Sequence, residues 1–265
     1  MKPEIDLLYL SPHLDDAVLS CGGAIHRQTG HGRRVAVLTV CAGAAPTGPL
    51  SAYARALHAR WEQSAHAPNA DIVTIRKAED AAALAALRAD PEYLNLADCV
   101  YRRDASTGDW LYESDAAIFS ELRAGDMGHI DEVAAALASL PGLTGHTRMV
   151  APLGVGRHVD HQLTRRAAEA WAGRTGIDLL YYEDYPYAER EGRLYEVLQP
   201  SESWEPAPVE LSAANLTAKV DAISRYASQL STFWPDPAAM SQAVHDYAWR
   251  RGSFDVLAER YWRRA

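Results

Sequence analysis

The stretch Ile5-Asp6-Leu7-Leu8-Tyr9-Leu10-Ser11-Pro12-His13-Leu14-Asp15-Asp16 sets the reading of this chain. Its apolar first half, Ile5 to Leu10, predicts a buried parallel strand, and Ala17 to Ile25 predicts a helix of small and apolar residues behind it. A polar cluster that ends a strand and opens a helix stands where open α/β sheets hold their ligands. His13 and Asp16, three positions apart across a turn, can converge on one metal ion. Asp15, beside Asp16, must point elsewhere and stays free for proton transfer. A plain helix cap is the competing reading, since Asp is a favoured N-cap residue. One cap needs neither two carboxylates nor a histidine.

A second cluster breaks the tie. Arg157-His158-Val159-Asp160-His161 follows another apolar run, Met149 to Leu153, and a Gly154-Val155-Gly156 loop, and it opens a helical stretch from Gln162 to Trp171. Two strand-end loops that each carry His and Asp belong on one rim of the same sheet. The bland alternative for His158 and Asp160 is a helix cap with a surface histidine.

Together the clusters resemble those of the PIG-L/LmbE-like family of zinc-dependent N-acetyl-sugar deacetylases. Pro12 to Asp16 matches that family's Pro-His-x-Asp-Asp segment, and His158 to His161 matches its His-x-Asp-His segment. Arg76-Lys77-Ala78-Glu79 is similar to its Arg-x-x-Glu segment and Leu94 to Asp98 to the strand after it, so the resemblance runs from about residue 4 to 185. Many members carry Glu after the Asp pair, where this chain has Ala17, which suggests a divergent branch. The resemblance implies Zn2+, or another divalent metal, on His13, Asp16 and His161. It makes Asp15 the general base and His158 the group that stabilises the oxyanion, with Asp160 holding the His158 ring. Three protein ligands with a position left for water is the usual catalytic zinc arrangement, and zinc lowers the pKa of its water toward ~7. A carboxylate beside His158 would favour its imidazolium form.

Outward from the motifs, 265 residues at 48% hydrophobic and 23% charged fit one α/β domain over residues 1–265, with a decorated C-terminal part from about 184. The expected fold is Rossmann-like: a mainly parallel sheet with helices on both faces and the metal site at the C-terminal ends of the strands. Arg33 to Val40 predicts the second strand, and the first turn lacks the Gly-x-Gly-x-x-Gly of dinucleotide sites. A net charge of −9 argues against nucleic acid, and the absence of a long apolar run or basic-then-apolar leader points to a cytoplasmic protein. Cys21, Cys41 and Cys99 read as buried thiols in a reducing compartment. A homo-oligomer is left open.

Further along, a helix is expected within 51–70, with a turn at Pro68-Asn69, and others over 76–90, over 118–140 with interruptions at Gly125 and Gly128, over 214–230 and over most of 241–263. Tyr93 to Tyr101 is expected as an edge strand and Ser201 to Pro208 as a loop. The loops 42–50, 102–114, 181–190 and 231–237 are rich in Tyr, Trp, Pro and Gly and are expected to line the rim. Arg76, Arg157, Tyr185, Tyr187 and Trp234 are the candidates for substrate contact, the aromatics against a hydrophobic substituent. The resulting expectation is a hydrolase that removes an acyl group, most simply acetyl, from the amide nitrogen of an amino-sugar substrate. A small or glycosylated specialised metabolite, as in an antibiotic-tailoring branch of the family, is the favoured acceptor. The alternative is an idle sugar-binding or regulatory protein, which would have no need of a base such as Asp15.

Overall fold

A computed structural model describes residues 3–68, 71–190, 192–199 and 202–265. Strand β1 (Leu7–Ser11) is buried throughout because both faces of the sheet are covered. Leu7 and Tyr9 enter one apolar cluster with Val18, Leu84, Ile223 and Val244, while Leu8 and Leu10 enter another with Leu137, Met149 and Ala168. Alternation with period two is what sends neighbouring residues to opposite layers.

Strands β2 (Val35–Thr39), β3 (Asp90–Tyr93), β4 (Arg148–Pro152) and β5 (Asp178–Tyr182) extend the parallel part, and β6 (Trp204–Leu211) and β7 (Leu257–Arg264) add an antiparallel end. The order is β3-β2-β1-β4-β5-β7-β6. The chain builds outward from β1 on one side and then returns to lay β4 on the other. The direction therefore reverses between β1 and β4, the switch point where open sheets leave a crevice. Helices α1 (Asp16–Gly30), α2 (Ala52–Ser64), α3 (Ile72–Ala86), α4 (Asp115–Ile118), α5 (Met127–Ala138), α6 (Val159–Thr175), α7 (Ala213–Ile223), α8 (Ala227–Phe233) and α9 (Pro237–Arg251) surround the sheet. Residues of α1, α3, α7 and α9 pack on one face and those of α5 and α6 on the other.

Four expectations fail locally. The strand expected at Tyr93 to Tyr101 stops at Tyr93, and a 3-10 turn follows at Cys99–Tyr101, where the Asp98 carboxylate accepts the Val100 N–H at 3.1 Å. The loop expected at Ser201 to Pro208 is largely β6; Ser201, like Asn69 of the expected turn, lies outside the described residues. An edge strand has one unpaired side, so Pro206 and Pro208 are tolerated there. Helix α9 ends at Arg251, and Leu257–Arg264 is a strand between β5 and β6. The 214–230 helix is broken into α7 and α8. The three cysteines are free and buried. Among the described residues no helix is long and apolar enough to cross a membrane.

Strand β7 also pins α1. Glu259 accepts the Gly23 and Ala24 N–H groups at 3.0 and 2.8 Å and the Lys219 ammonium at 2.7 Å. Lys219 and Glu259 are each 2% exposed. Gly23 lets β6 and β7 approach closely: a Cβ there would stand 2.6 Å from Leu211 Cδ1 and 3.2 Å from Glu259 Oε1, so these side chains would have to shift. Removing one partner of a buried pair strands the other charge, so Glu259→Ala should lower stability by about 3–5 kcal/mol. Urea unfolding measures this, and a loss within the spread of surface substitutions would show that the pair does not anchor α1.

Candidate active site

The site grows out of the turns after β1 and β4. Ser11 ties the first turn, accepting the Ala17 N–H at 3.0 Å and donating to the His13 carbonyl at 2.6 Å. Asp16 then turns back, its Oδ2 accepting the His13 N–H at 2.9 Å. Asp15 holds the N-cap position of α1 at φ 153° but makes no side-chain cap bond, so the capping explanation of this residue fails. A non-glycine residue in that sparse backbone region persists only where its surroundings enforce it.

Two histidines are oriented from behind by buried carboxylates. His161 Nδ1 lies 2.7 Å from Asp184 Oδ1, and the other Asp184 oxygen accepts the N–H groups of Gly154 and Val155, each at 2.8 Å. His13 Nε2 lies 2.9 Å from Asp160 Oδ2. Their opposite ring nitrogens converge on Asp16 Oδ2, His13 Nδ1 at 3.0 Å and His161 Nε2 at 3.3 Å. His161 Nε2 is buried without a hydrogen-bond partner. A buried imidazole nitrogen left bare, with its other nitrogen tied to a carboxylate, is the arrangement of a metal-ligating histidine. The donor set is suited to a divalent metal.

His158 also brings a nitrogen within 4.8 Å of His13 and His161. Its Nδ1, however, accepts the Asp160 N–H at 3.2 Å. The neutral ring then carries its proton on Nε2, which makes that atom a donor. The expected cap contact therefore exists, but in a buried residue on the wall of the cavity. Two sequence expectations are corrected here. The Asp160 carboxylate does not hold the His158 ring; it is turned to His13, the Cys99 N–H and the Arg102 guanidinium. And the expected imidazolium is disfavoured: burial and the neighbouring His13 lower the His158 pKa well below its ordinary value.

The other charges sort by surroundings. Burial, reinforced by the adjacent Asp16, pushes Asp15 up to about 8 against the pull of Arg76. Burial would raise Asp16 too, but the His161 and His13 rings outweigh it and hold this carboxyl well below its usual range. His161 is raised to about 9, where Asp16 and Asp184 overcome burial. Two adjacent carboxyls are thus driven apart, one toward the charged form and one toward the proton-exchanging form.

A cavity of about 600 Å³ opens over the cluster. His13, Asp15, Asp16 and His158 form part of its lining, with Tyr53, Trp61, Phe119, Tyr187 and Phe233 among its aromatic walls. Of the expected substrate contacts, Arg76 and Tyr187 line it. Tyr185 and Trp234 do not: both are buried behind it, stacked at 6.1 Å, and Tyr185 also packs on Tyr247 at 4.6 Å. Their neighbours Pro186 and Phe233 take the wall instead. Arg157 is turned away to pair with Glu121. Arg76 lies 4.9 Å above the Trp61 ring, whereas Glu79 accepts the N–H and hydroxyl of Ser228 at 2.9 and 2.6 Å and so joins α3 to α8. Sequence reasoning missed Asp184 and Arg102. The strand-end rule that found the motifs also applies to Asp184, two residues past β5; Arg102 carries no such signal.

Fold and site define a Rossmann-like α/β protein with a histidine–carboxylate centre at its switch point. The chain belongs to the PIG-L family: the family model described as GlcNAc-PI de-N-acetylase matches residues 8–172. It is 32% identical over 186 residues to 2'-N-acetylparomamine deacetylase of Streptomyces fradiae, a match covering 68% of this chain and 57% of that protein, so it spans little more than half of the relative. Among solved structures, the zinc-inhibited form of teicoplanin deacetylase superposes with a TM-score of 0.84 at 28% identity, covering 98% of both chains. A deacetylase–teicoplanin complex gives 0.79 at 27%, again over 98% of each chain.

The carboxylate behind His161 generates a prediction. Partners of this kind typically contribute ~10–100-fold to metal affinity. Asp184→Asn should weaken divalent-metal binding by that order in a chelator competition, and unchanged affinity would show that Asp184 serves only the backbone of the Gly154 loop.

Proposed function

We propose that this protein is a zinc-dependent deacetylase that hydrolyses the N-acetyl group of an amino sugar borne by a glycosylated specialised metabolite. The observation that carries the reading is the bare, buried His161 Nε2 aimed at Asp16, with the uncapped Asp15 beside it, beneath an aromatic-walled cavity. Supporting it, the relatives named above are deacetylases of a paromamine derivative and of teicoplanin.

In this reading His13, Asp16 and His161 hold the ion, and the ion supplies Lewis acidity toward the amide carbonyl and an acidified water. Asp15 takes the proton of the attacking water and returns it to the departing amine. A carbon–oxygen bond forms, the carbon–nitrogen bond breaks, and acetate and a free amine leave. His158 donates through Nε2 to the carbonyl oxygen as charge develops there; loss of such a donor typically costs ~3 kcal/mol in the transition state. Tyr53, Trp61, Tyr187 and Phe233 provide flat ring faces as walls for an aglycone.

Two outcomes are expected. Asp15→Asn should retain the metal and lose ~10²–10⁴-fold in kcat, because it keeps the shape and removes the base; a variant that instead lost its metal would exchange the roles of Asp15 and Asp16. In an acetate-release assay, Phe233→Ala and Tyr187→Ala should raise KM for an N-acetylated glycoside with an aromatic aglycone and leave free N-acetylglucosamine little changed. Free N-acetylglucosamine proving the better substrate would overturn the acceptor class.

A further inference from the structure

We infer that Arg102 is a positioning residue for the metal centre, acting on His13 through Asp160; the inference rests on the metal reading proposed above. Arg102 is 5% exposed and Asp160 fully buried. The guanidinium hydrogen-bonds Asp160 Oδ1, and the same Nη2 lies 3.2 Å from Asp126 Oδ2. The second Asp160 oxygen accepts the Cys99 N–H at 3.1 Å and lies 2.9 Å from His13 Nε2. His13 in turn faces Asp16 Oδ2 through Nδ1, 3.0 Å away. Arg102, Asp160, His13 and Asp16 thus form one unbroken series of polar contacts.

The other half of the site shows what the series does. Behind His161, the Asp184 oxygen not used by the ring is fixed by two backbone N–H groups. Behind His13, the corresponding Asp160 oxygen is held by a guanidinium instead. With a metal in place, each carboxylate, anchored at its far oxygen, would keep a proton on the near ring nitrogen and leave the opposite nitrogen free to ligate beside Asp16. Arg102 is not among the residues lining the cavity, so it has no route to a substrate there. Asp126, also fully buried, has no hydrogen-bond partner for either carboxylate oxygen and sets its charge against the same guanidinium.

The test uses the purified chain with zinc alone as the probe. Zinc affinity would be measured by chelator competition for the wild type, Arg102→Met, Arg102→Lys and the double variant Arg102→Met/Asp126→Asn. The double variant removes one of the carboxylates that a lost guanidinium would leave buried and unpaired, and a near-UV circular dichroism spectrum of wild-type shape establishes that it is folded. Zinc affinity should fall ~10–100-fold in both Met variants, with partial recovery in Arg102→Lys. KM for an N-acetyl substrate should stay unchanged, because Arg102 does not face the cavity. A folded double variant with wild-type zinc affinity would overturn the inference. Where both Met variants unfold, the isosteric Asp160→Asn takes their place: the same loss supports the relay, and wild-type affinity refutes it. A wild-type chain that binds no zinc is a different result and removes the metal reading itself.

Discussion

Everything at the centre of this protein depends on a carboxylate placed behind each of two imidazoles, that of His161 buried and that of His13 half-buried. Asp184 behind His161 and Asp160 behind His13 turn two ring nitrogens onto Asp16 Oδ2. Buried carboxylates are expensive unless paired and hydrogen-bonded. The fold meets that demand with the N–H groups of Gly154 and Val155 on one side and with Arg102 on the other. Asp160 is held well below its usual range because Arg102 and the His13 ring outweigh burial. The sheet order makes this feasible: β4 lies between β1 and β5, so the turn carrying His13, the helix start carrying His161 and the end of the strand before Asp184 share one rim.

The C-terminal third contributes to the cavity and to the support of α1. Strand β7 supplies Glu259, which holds α1 from behind through Gly23 and Ala24. Helix α8 brings Gln229 and Phe233 to the cavity, and its Ser228 is fastened to Glu79 of α3. The cavity is thereby walled by segments far apart in the chain, from Tyr53 to Phe233. Its floor comes from the motif loops, so floor and walls come from different parts of the sequence.

That division explains what could be read from the residues alone. The first strand, its helix and the placing of both motif clusters at strand ends follow from local rules: apolar runs, strand-end loops and, for His13 and Asp16, spacing across a turn; the place of His161 beside them comes from the family resemblance. The aromatic wall does not. Tyr185 and Tyr187 are two residues apart, yet Tyr187 lines the cavity and Tyr185 packs against Trp234 and Tyr247 in the core. Phe233 and Trp234 divide in the same way. Which of two nearby aromatics meets solvent is set by the packing of distant elements, and composition carries no trace of it. Strand β7 was hidden for a related reason. Leu257 to Arg264 gains its strand character by pairing with β6 and β5, and tertiary pairing overrides a weak local pattern.

The state of His158 bears on how the proposed chemistry would work. A carboxylate two residues away suggests a charged ring, but that carboxylate is engaged elsewhere, and burial with the adjacent His13 favours the neutral imidazole. Neutrality does not remove its function. With Nδ1 accepting the Asp160 N–H, the proton resides on Nε2, and a neutral N–H donor can stabilise charge that develops on a carbonyl oxygen. It also avoids gathering a further cation beside the one the site is suited to hold, which like-charge repulsion in a buried space would penalise. The helix-cap bond of His158 therefore bears on the proposed role as well as on α6: in a neutral ring it fixes the tautomer with the proton on Nε2.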